Sequence, residues 1–151
     1  MLYPVAGSRI FMADLPGFEP SAVPSGAWVE IGQAEAFGTL GGTWRMTDLE
    51  PALNFPDGLP AMSHLKTYME RPVMQIVLGN DPTDAGQALL WNAWRALEAF
   101  PFRIVFPDGA TRRSWSALVI DLQEVFDTAN SVIKVQASLR PVSEILRSEA
   151  P

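Results

Sequence analysis

The chain has 151 residues, 48% hydrophobic and 19% charged, a composition that fits one folded domain and excludes a disordered tail. It has no cysteine and one histidine, His64, which excludes disulfides, Cys-bound zinc, iron–sulfur clusters, thiol nucleophiles and any site needing two histidines. The net charge of −6 is uneven: residues 11–60 hold seven acids against one base, whereas residues 61–151 hold ten acids against nine bases.

In chain order, Arg9–Ala13 reads as a short strand. Residues 14–26 hold Pro16, Gly17, Pro20, Pro24 and Gly26 and read as a loop. Trp28–Phe37 is an imperfect strand, with Val29, Ile31 and Phe37 on one parity and Gln33 and Glu35 interrupting it. Gly38, Gly41 and Gly42 follow. A phosphate-binding glycine loop needs a helix directly after it, but a second short strand, Thr43–Thr47, follows instead, so a hairpin turn is expected.

Residues 48–71 hold Pro51, Pro56, Pro60 and the turn pair Asp57–Gly58, and no periodicity persists through them. A loop of about 24 residues far exceeds the usual length. Disordered segments are poor in large apolar groups, yet this one carries Leu53, Phe55, Leu59, Met62, Leu65, Tyr68 and Met69. Those side chains need a surface to cover them. That surface is either another copy of the chain or the chain's own core.

Pro72–Leu78 is a mostly apolar strand. A helix then runs from Asp81 as N-cap, with Pro82 at its first position. Gly86, Leu89, Leu90, Ala93, Trp94, Leu97 and Phe100 recur at helical spacing, while Gln87, Asn92, Arg95 and Glu98 fall elsewhere. Pro101 is expected to end it. Phe102–Phe106, the turn Pro107-Asp108-Gly109 and a long returning strand from about Arg112 to Phe126 form a hairpin, and the long strand is expected to bend or bulge. Val132–Arg140 alternates most regularly, with Ile133, Val135, Ala137 and Leu139 on one face and Lys134, Gln136, Ser138 and Arg140 on the other. The whole is mainly β: an antiparallel β-sandwich or barrel with one packed α-helix, in a single domain over residues 1–151.

Few residues of the chain are spaced for chemistry. Ser63, Lys66, Asp57 and Glu70 lie near His64 in sequence, but adjacency alone does not build a nucleophile–base pair, and a surface or interface histidine is the simpler reading. Asp81 and Asp84 are explained by helix capping. The five tryptophans lack interleaved basic residues for stacking on bases, so they read as core or interface anchors. The densest basic spot is Arg112–Arg113, either a solvated strand end or a contact for an acidic partner, and no basic run exists to neutralise a phosphate backbone. No apolar stretch approaches the ~20 residues that span a bilayer, and the N-terminus lacks the basic and apolar regions of a cleaved signal. No enzyme, cofactor or metal site is expected.

The order of features resembles a known family. The resemblance runs from Gly7-Ser-Arg-Ile-Phe-Met through Trp28-Val-Glu-Ile-Gly and the exit Ala36-Phe37-Gly38. It continues through Thr43-Trp-Arg-Met-Thr-Asp48, the long loop, the capped helix 81–100 and Phe102-Arg-Ile-Val-Phe-Pro-Asp-Gly109, and ends in two long strands. This is similar to the major tail (tail tube) protein of long-tailed, non-contractile bacteriophages. The resemblance implies a virion protein assembled in the bacterial host, whose hexameric rings stack into a hollow tube that DNA crosses without specific binding. Its partners would be further copies of itself and other tail proteins (tape measure, terminator, distal tail), with no membrane. It implies that the loop 48–71 reaches a neighbouring subunit. Gln75, Asp121, Gln123, Gln136 and Ser138 are expected to line the lumen, the alternative being that this face is outer surface. Lys134 and Arg140 share that face and are expected either to pair with Asp121 or Glu124 or to point outward. Other readings are a tail-terminator or connector ring, a secretion or bacteriocin tube protein, and a β-barrel ligand-binding module with a tryptophan-rich interior.

Overall fold

The computed structural model describes residues 1–49 and 63–149. Contacts divide the chain into two compact units, Met1–Thr39 with Val73–Pro151, and Leu40–Pro72. In chain order the elements are β1 (Arg9–Ala13), β2 (Trp28–Ile31), β3 (Ala34–Ala36), β4 (Thr43–Leu49), β5 (Ser63–Glu70), β6 (Met74–Gly79), α1 (Ala85–Arg95), β7 (Phe100–Val105), β8 (Thr111–Val125), β9 (Lys134–Pro141) and β10 (Leu146–Glu149). Among the described residues the architecture is mainly antiparallel β with one α-helix, as the sequence pattern implies.

The larger unit is one antiparallel sheet in the order β2-β1-β7-β8-β9-β6-β3, with β10 also on β8. Alternation in each strand sends one set of side chains to a common core. Ile10, Met12, Phe102, Trp115, Leu122, Ala137 and Ile76 are all buried there. Trp115 stacks on Phe102 across the β7–β8 pair, with ring centroids 6.1 Å apart. The long strand β8 does carry a bulge: Val119 pairs with Leu139 and Asp121 with Ser138, leaving Ile120 as the extra residue.

The helix packs against β8, β2 and β1, and its docking rests on Gly86. A Cβ there would overlap the carbonyl oxygen of Glu30 and the backbone of Ile31, so only glycine lets helix and strand backbones approach this closely. The N-cap is Asp84 rather than Asp81. The Asp84 carboxylate accepts from the Gln87 N–H at 2.9 Å and the Gly32 N–H at 3.0 Å, while Asp81 accepts from the Thr83 N–H and hydroxyl one turn earlier. Gln87 is buried rather than on the wet face. Its amide donates to the carbonyls of Gly32 and Gly79 and accepts from the Asp81 N–H, so a polar side chain joins the ends of β2, β6 and α1. The helix stops at Arg95, before Pro101, which lies near the start of β7 opposite Ser116. Leu97, placed on the buried stripe by its spacing, thus lies beyond the helix and is exposed, and Trp94, within the last turn, is exposed as well.

Other expectations need correction. Trp28–Phe37 is two strands, β2 and β3, broken where Gln33 adopts a φ of 62°. The glycines 38–42 do not make a hairpin turn, because β3 pairs with β6 while β4 pairs with β5. Gly38, at φ +72°, passes so close to Gln75 that a Cβ would lie 2.8 Å from its backbone nitrogen and oxygen. β10 was not anticipated.

The smaller unit is a two-stranded antiparallel ribbon, β4 with β5. Residues 63–70 are therefore a strand, not loop. Their period is hard to read because both faces are exposed or half-buried, so neither is marked by a run of apolar residues. A bulge at Thr67, whose hydroxyl donates to the Arg45 carbonyl, shifts the register. Leu53, Phe55, Leu59 and Met62 lie outside the described residues.

Candidate functional site

Two surfaces stand out: a polar face of the main sheet and the faces of the ribbon.

On the main sheet, β6, β9 and β8 lie side by side, and their registers fix which side chains share a face. Ser138 is opposite Gln75 on β6 and Asp121 on β8, and Gln136 is opposite Val77 and Gln123. The five polar residues singled out from sequence thus come together on one face in two adjacent rows. The Ile120 bulge makes this possible, because it restores the polar parity of β8 after Val119. Gln75 donates to the Ser138 hydroxyl at 3.3 Å. Ser138 is itself buried, a small side chain in a row of longer ones, while Gln75, Asp121, Gln123 and Gln136 are exposed.

The charges on this face differ from expectation. Lys134 pairs with Glu35 of β3, not with Asp121 or Glu124. Glu124 accepts instead from the side-chain amide of Asn80 at 2.7 Å. Arg140 makes no ion pair among the described residues. The face is polar and nearly balanced in charge.

In the ribbon, Trp44 is opposite Met69 and Met46 is opposite Lys66. These four share a face, and the Lys66 ammonium sits 5.3 Å from the centre of the Trp44 ring. Arg45 is opposite Tyr68 and Thr47 is opposite Leu65 on the other face, where Arg45 pairs with Glu70 at 2.5 Å. Trp44, Met46, Leu65 and Tyr68 are all exposed. The apolar residues foreseen in the arm, Leu65, Tyr68 and Met69, are thus divided between both faces. Trp44 and Met46 join them from the strand that precedes Asp48, the expected start of the arm. Their i, i+2 spacing is the signal that identifies them. His64 lies opposite Asp48 in this ribbon. Among the described residues no group of three or more His, Asp or Glu side chains is placed to hold a metal.

The tryptophans do not share an interior. Trp115 is in the core, Trp28 lies beneath the Arg103 guanidinium at 4.2 Å, Trp91 meets Trp94 edge to face, and Trp44 and Trp94 are exposed.

The fold is the one shared by tail-tube and tube-terminator proteins of phage tails and contractile injection systems. The chain superposes on the SPP1 tail tube with a TM-score of 0.64 at 12% identity, covering 98% of this chain and 80% of that one. It matches the sheath/tube terminator of the extracellular contractile injection system PVC with a TM-score of 0.66 at 13% identity, covering 98% and 97%. The tail of an empty GTA particle gives 0.61 at 14% identity, covering 91% and 93%. The sequence matches no protein-family model and no curated protein.

Proposed function

We propose that this chain is a structural subunit of a tail tube: six copies close into a ring, and rings stack into a hollow conduit through which DNA passes. The observation that carries the reading is the ribbon. A two-stranded hairpin is marginal by itself in water, yet this one presents Trp44, Met46, Leu65 and Tyr68 to solvent. Each such side chain contributes about 1.5–3 kcal/mol when fully covered, so docking the ribbon on a neighbouring subunit is a strong drive to assemble. The sheet adds a second drive. Its terminal strands β2 and β3 are edges, and closing edges around a ring turns an aggregation hazard into cyclic symmetry.

The face carrying Gln75, Asp121, Gln123, Gln136 and Ser138 forms the lumen wall. A conduit must not grip phosphate, because every ammonium or guanidinium that neutralises DNA releases counterions and tightens binding. Holding Lys134 on Glu35 removes one such group from the wall. A subunit charge of −6, about −36 per six-copy ring, adds a general repulsion, screened beyond ~8–10 Å. The partners are further copies of the chain and the other proteins of a tail, and the place of action is the virion tail.

Negative-stain microscopy of the purified protein tests this. Long hollow filaments are expected, and a monomer at high concentration overturns it. A second reading, the tube terminator, is favoured by the match to the PVC terminator over 97% of that chain. It predicts single rings that do not stack.

A further inference from the structure

Away from the polar face and the ribbon, the half of the main sheet formed by β1, β2, β7, β8 and β10 carries two arginines whose surroundings do not suit them. Arg103 on β7 lies between Phe11 of β1 and Ser114 of β8. Its Nε donates to the Ser114 hydroxyl at 3.0 Å, and its guanidinium lies 4.2 Å over the Trp28 ring. Arg112 is on the same face of β8, two residues from Ser114, between Val105 of β7 and Ser148 of β10. Its Nε is buried and has no hydrogen-bond partner.

Among the described residues neither group makes an ion pair, and none of the side chains directly opposite them is acidic. The residues opposite them are Phe11, Ser114, Val105 and Ser148. Glu30, on the same face of β2, is taken up bidentately by Arg9 at 2.8 and 2.6 Å. Burial, together with the charge of Arg112, pushes the Arg103 pKa down from its ordinary value. Two neighbouring half-buried cations without an ion-pair partner among the described residues thus sit in a protein with six more acids than bases.

Such an arrangement is costly in the isolated subunit, because a partly desolvated cation without an acceptor loses hydration that nothing replaces. It becomes favourable when a carboxylate docks, since guanidinium–carboxylate bonds are the strong, charge-assisted kind. Arginine beside an aromatic ring is also the composition of an interface anchor. We infer that Arg103 and Arg112 form a receptor for a carboxylate of a second copy of this chain. The occupant follows from charge complementarity: each copy brings an excess of acids, whereas this patch is locally cationic. The inference rests on the self-assembly reading and names a contact within it.

The test uses full-length protein and three variants. Arg103→Gln with Arg112→Gln removes both charges, and its fold is checked by circular dichroism and Tm. Arg112→Lys keeps the charge and supplies a primary amine, which a carbodiimide couples to a carboxylate in direct contact. Expected results are a more than tenfold higher subunit concentration for assembly of the double variant at an unchanged fold, and near-normal assembly of Arg112→Lys. Carbodiimide should then give an intermolecular cross-link at position 112, beyond those formed in the wild type, whose peptide map names the acid. Three outcomes overturn the inference while leaving the assembly reading intact: assembly of the folded double variant at wild-type concentration, a cross-link at position 112 to an acid of the same chain only, or loss of oligonucleotide binding by the variant with assembly unchanged. If the double variant misfolds, the single Arg112→Gln and the cross-link decide. A wild type that never assembles removes the assembly reading itself.

Discussion

Trp115 and Trp44 both sit on antiparallel strands with an aromatic or sulfur-bearing neighbour directly opposite, Phe102 in one case and Met69 in the other. Trp115 is 0% exposed and Trp44 is 44% exposed. The main sheet buries one face of apolar side chains, with a helix laid over β8, β2 and β1. The ribbon has the same strand chemistry but no second layer within its own unit. The first region thus has a buried core, whereas in the second Trp44, Met46, Leu65 and Tyr68 all stay exposed.

The sharpest test of that contrast is Trp115→Ala. Emptying a fully buried aromatic site costs about 3–5 kcal/mol, so denaturant unfolding should show a large drop in the midpoint. A loss below about 1 kcal/mol would mean that the main sheet is not the stable region.

Asp84→Ala is next. It removes the cap on the Gln87 N–H and leaves the Gly32 N–H without its acceptor, at an expected cost of about 2 kcal/mol. Asp84→Asn should recover part of this, because an amide oxygen still accepts. Equal loss in both variants would show that the carboxylate acts through charge rather than as an acceptor.

Trp44→Ala addresses the other side of the comparison. Its effect on subunit unfolding should stay within about 0.5 kcal/mol, as for an ordinary surface change. Its effect on assembly should be at least tenfold in the concentration required, or about 1.4 kcal/mol, read by sedimentation. Amides of residues 43–49 and 63–70 should exchange markedly faster in the free subunit than in the polymer. Equal protection in the two states would place the ribbon's covering surface within its own chain.

The same contrast explains what the sequence reveals. β9 and the bulged β8 are readable because one face of each is buried, so Val135, Ala137 and Leu139 alternate with Gln136 and Ser138. The polar face came from that alternation, and the register then aligned it with Gln75, Asp121 and Gln123. The strand character of residues 63–70 was hidden, since a ribbon without a buried face leaves no period-two signal. Gln87 was misplaced for a related reason: polar residues read as wet unless the carbonyls they bond, here those of Gly32 and Gly79, are known to converge. The Arg103–Arg112 site was only half visible. Arg112 stood out as part of a basic pair, but its neighbour across β7 depends on pairing that no local pattern reports.

The smallest effect belongs to the turn that joins β7 to β8. The Asp108 carboxylate accepts from the Thr111 hydroxyl at 2.6 Å and from the Ala110 and Thr111 N–H groups, both at 2.9 Å. These bonds favour the charged form, the Thr111 hydroxyl most, and hold the pKa down at about 2. A depressed carboxylate pKa means that the unfolded chain takes up its proton first as pH falls. The stabilisation is therefore fully present above the unfolded value near 3.8 and fades as pH drops towards 2. The group is exposed, so the effect is modest and salt-sensitive. Compared with Asp108→Asn, the wild type should have a slightly higher Tm at neutral pH, and the gap should close between pH 3.8 and about 2. A gap that persists unchanged to pH 2 would show that turn shape, rather than charge, holds the hairpin. Because this hairpin lies in the stable sheet and not in the ribbon, the same titration should leave assembly at neutral pH unaltered.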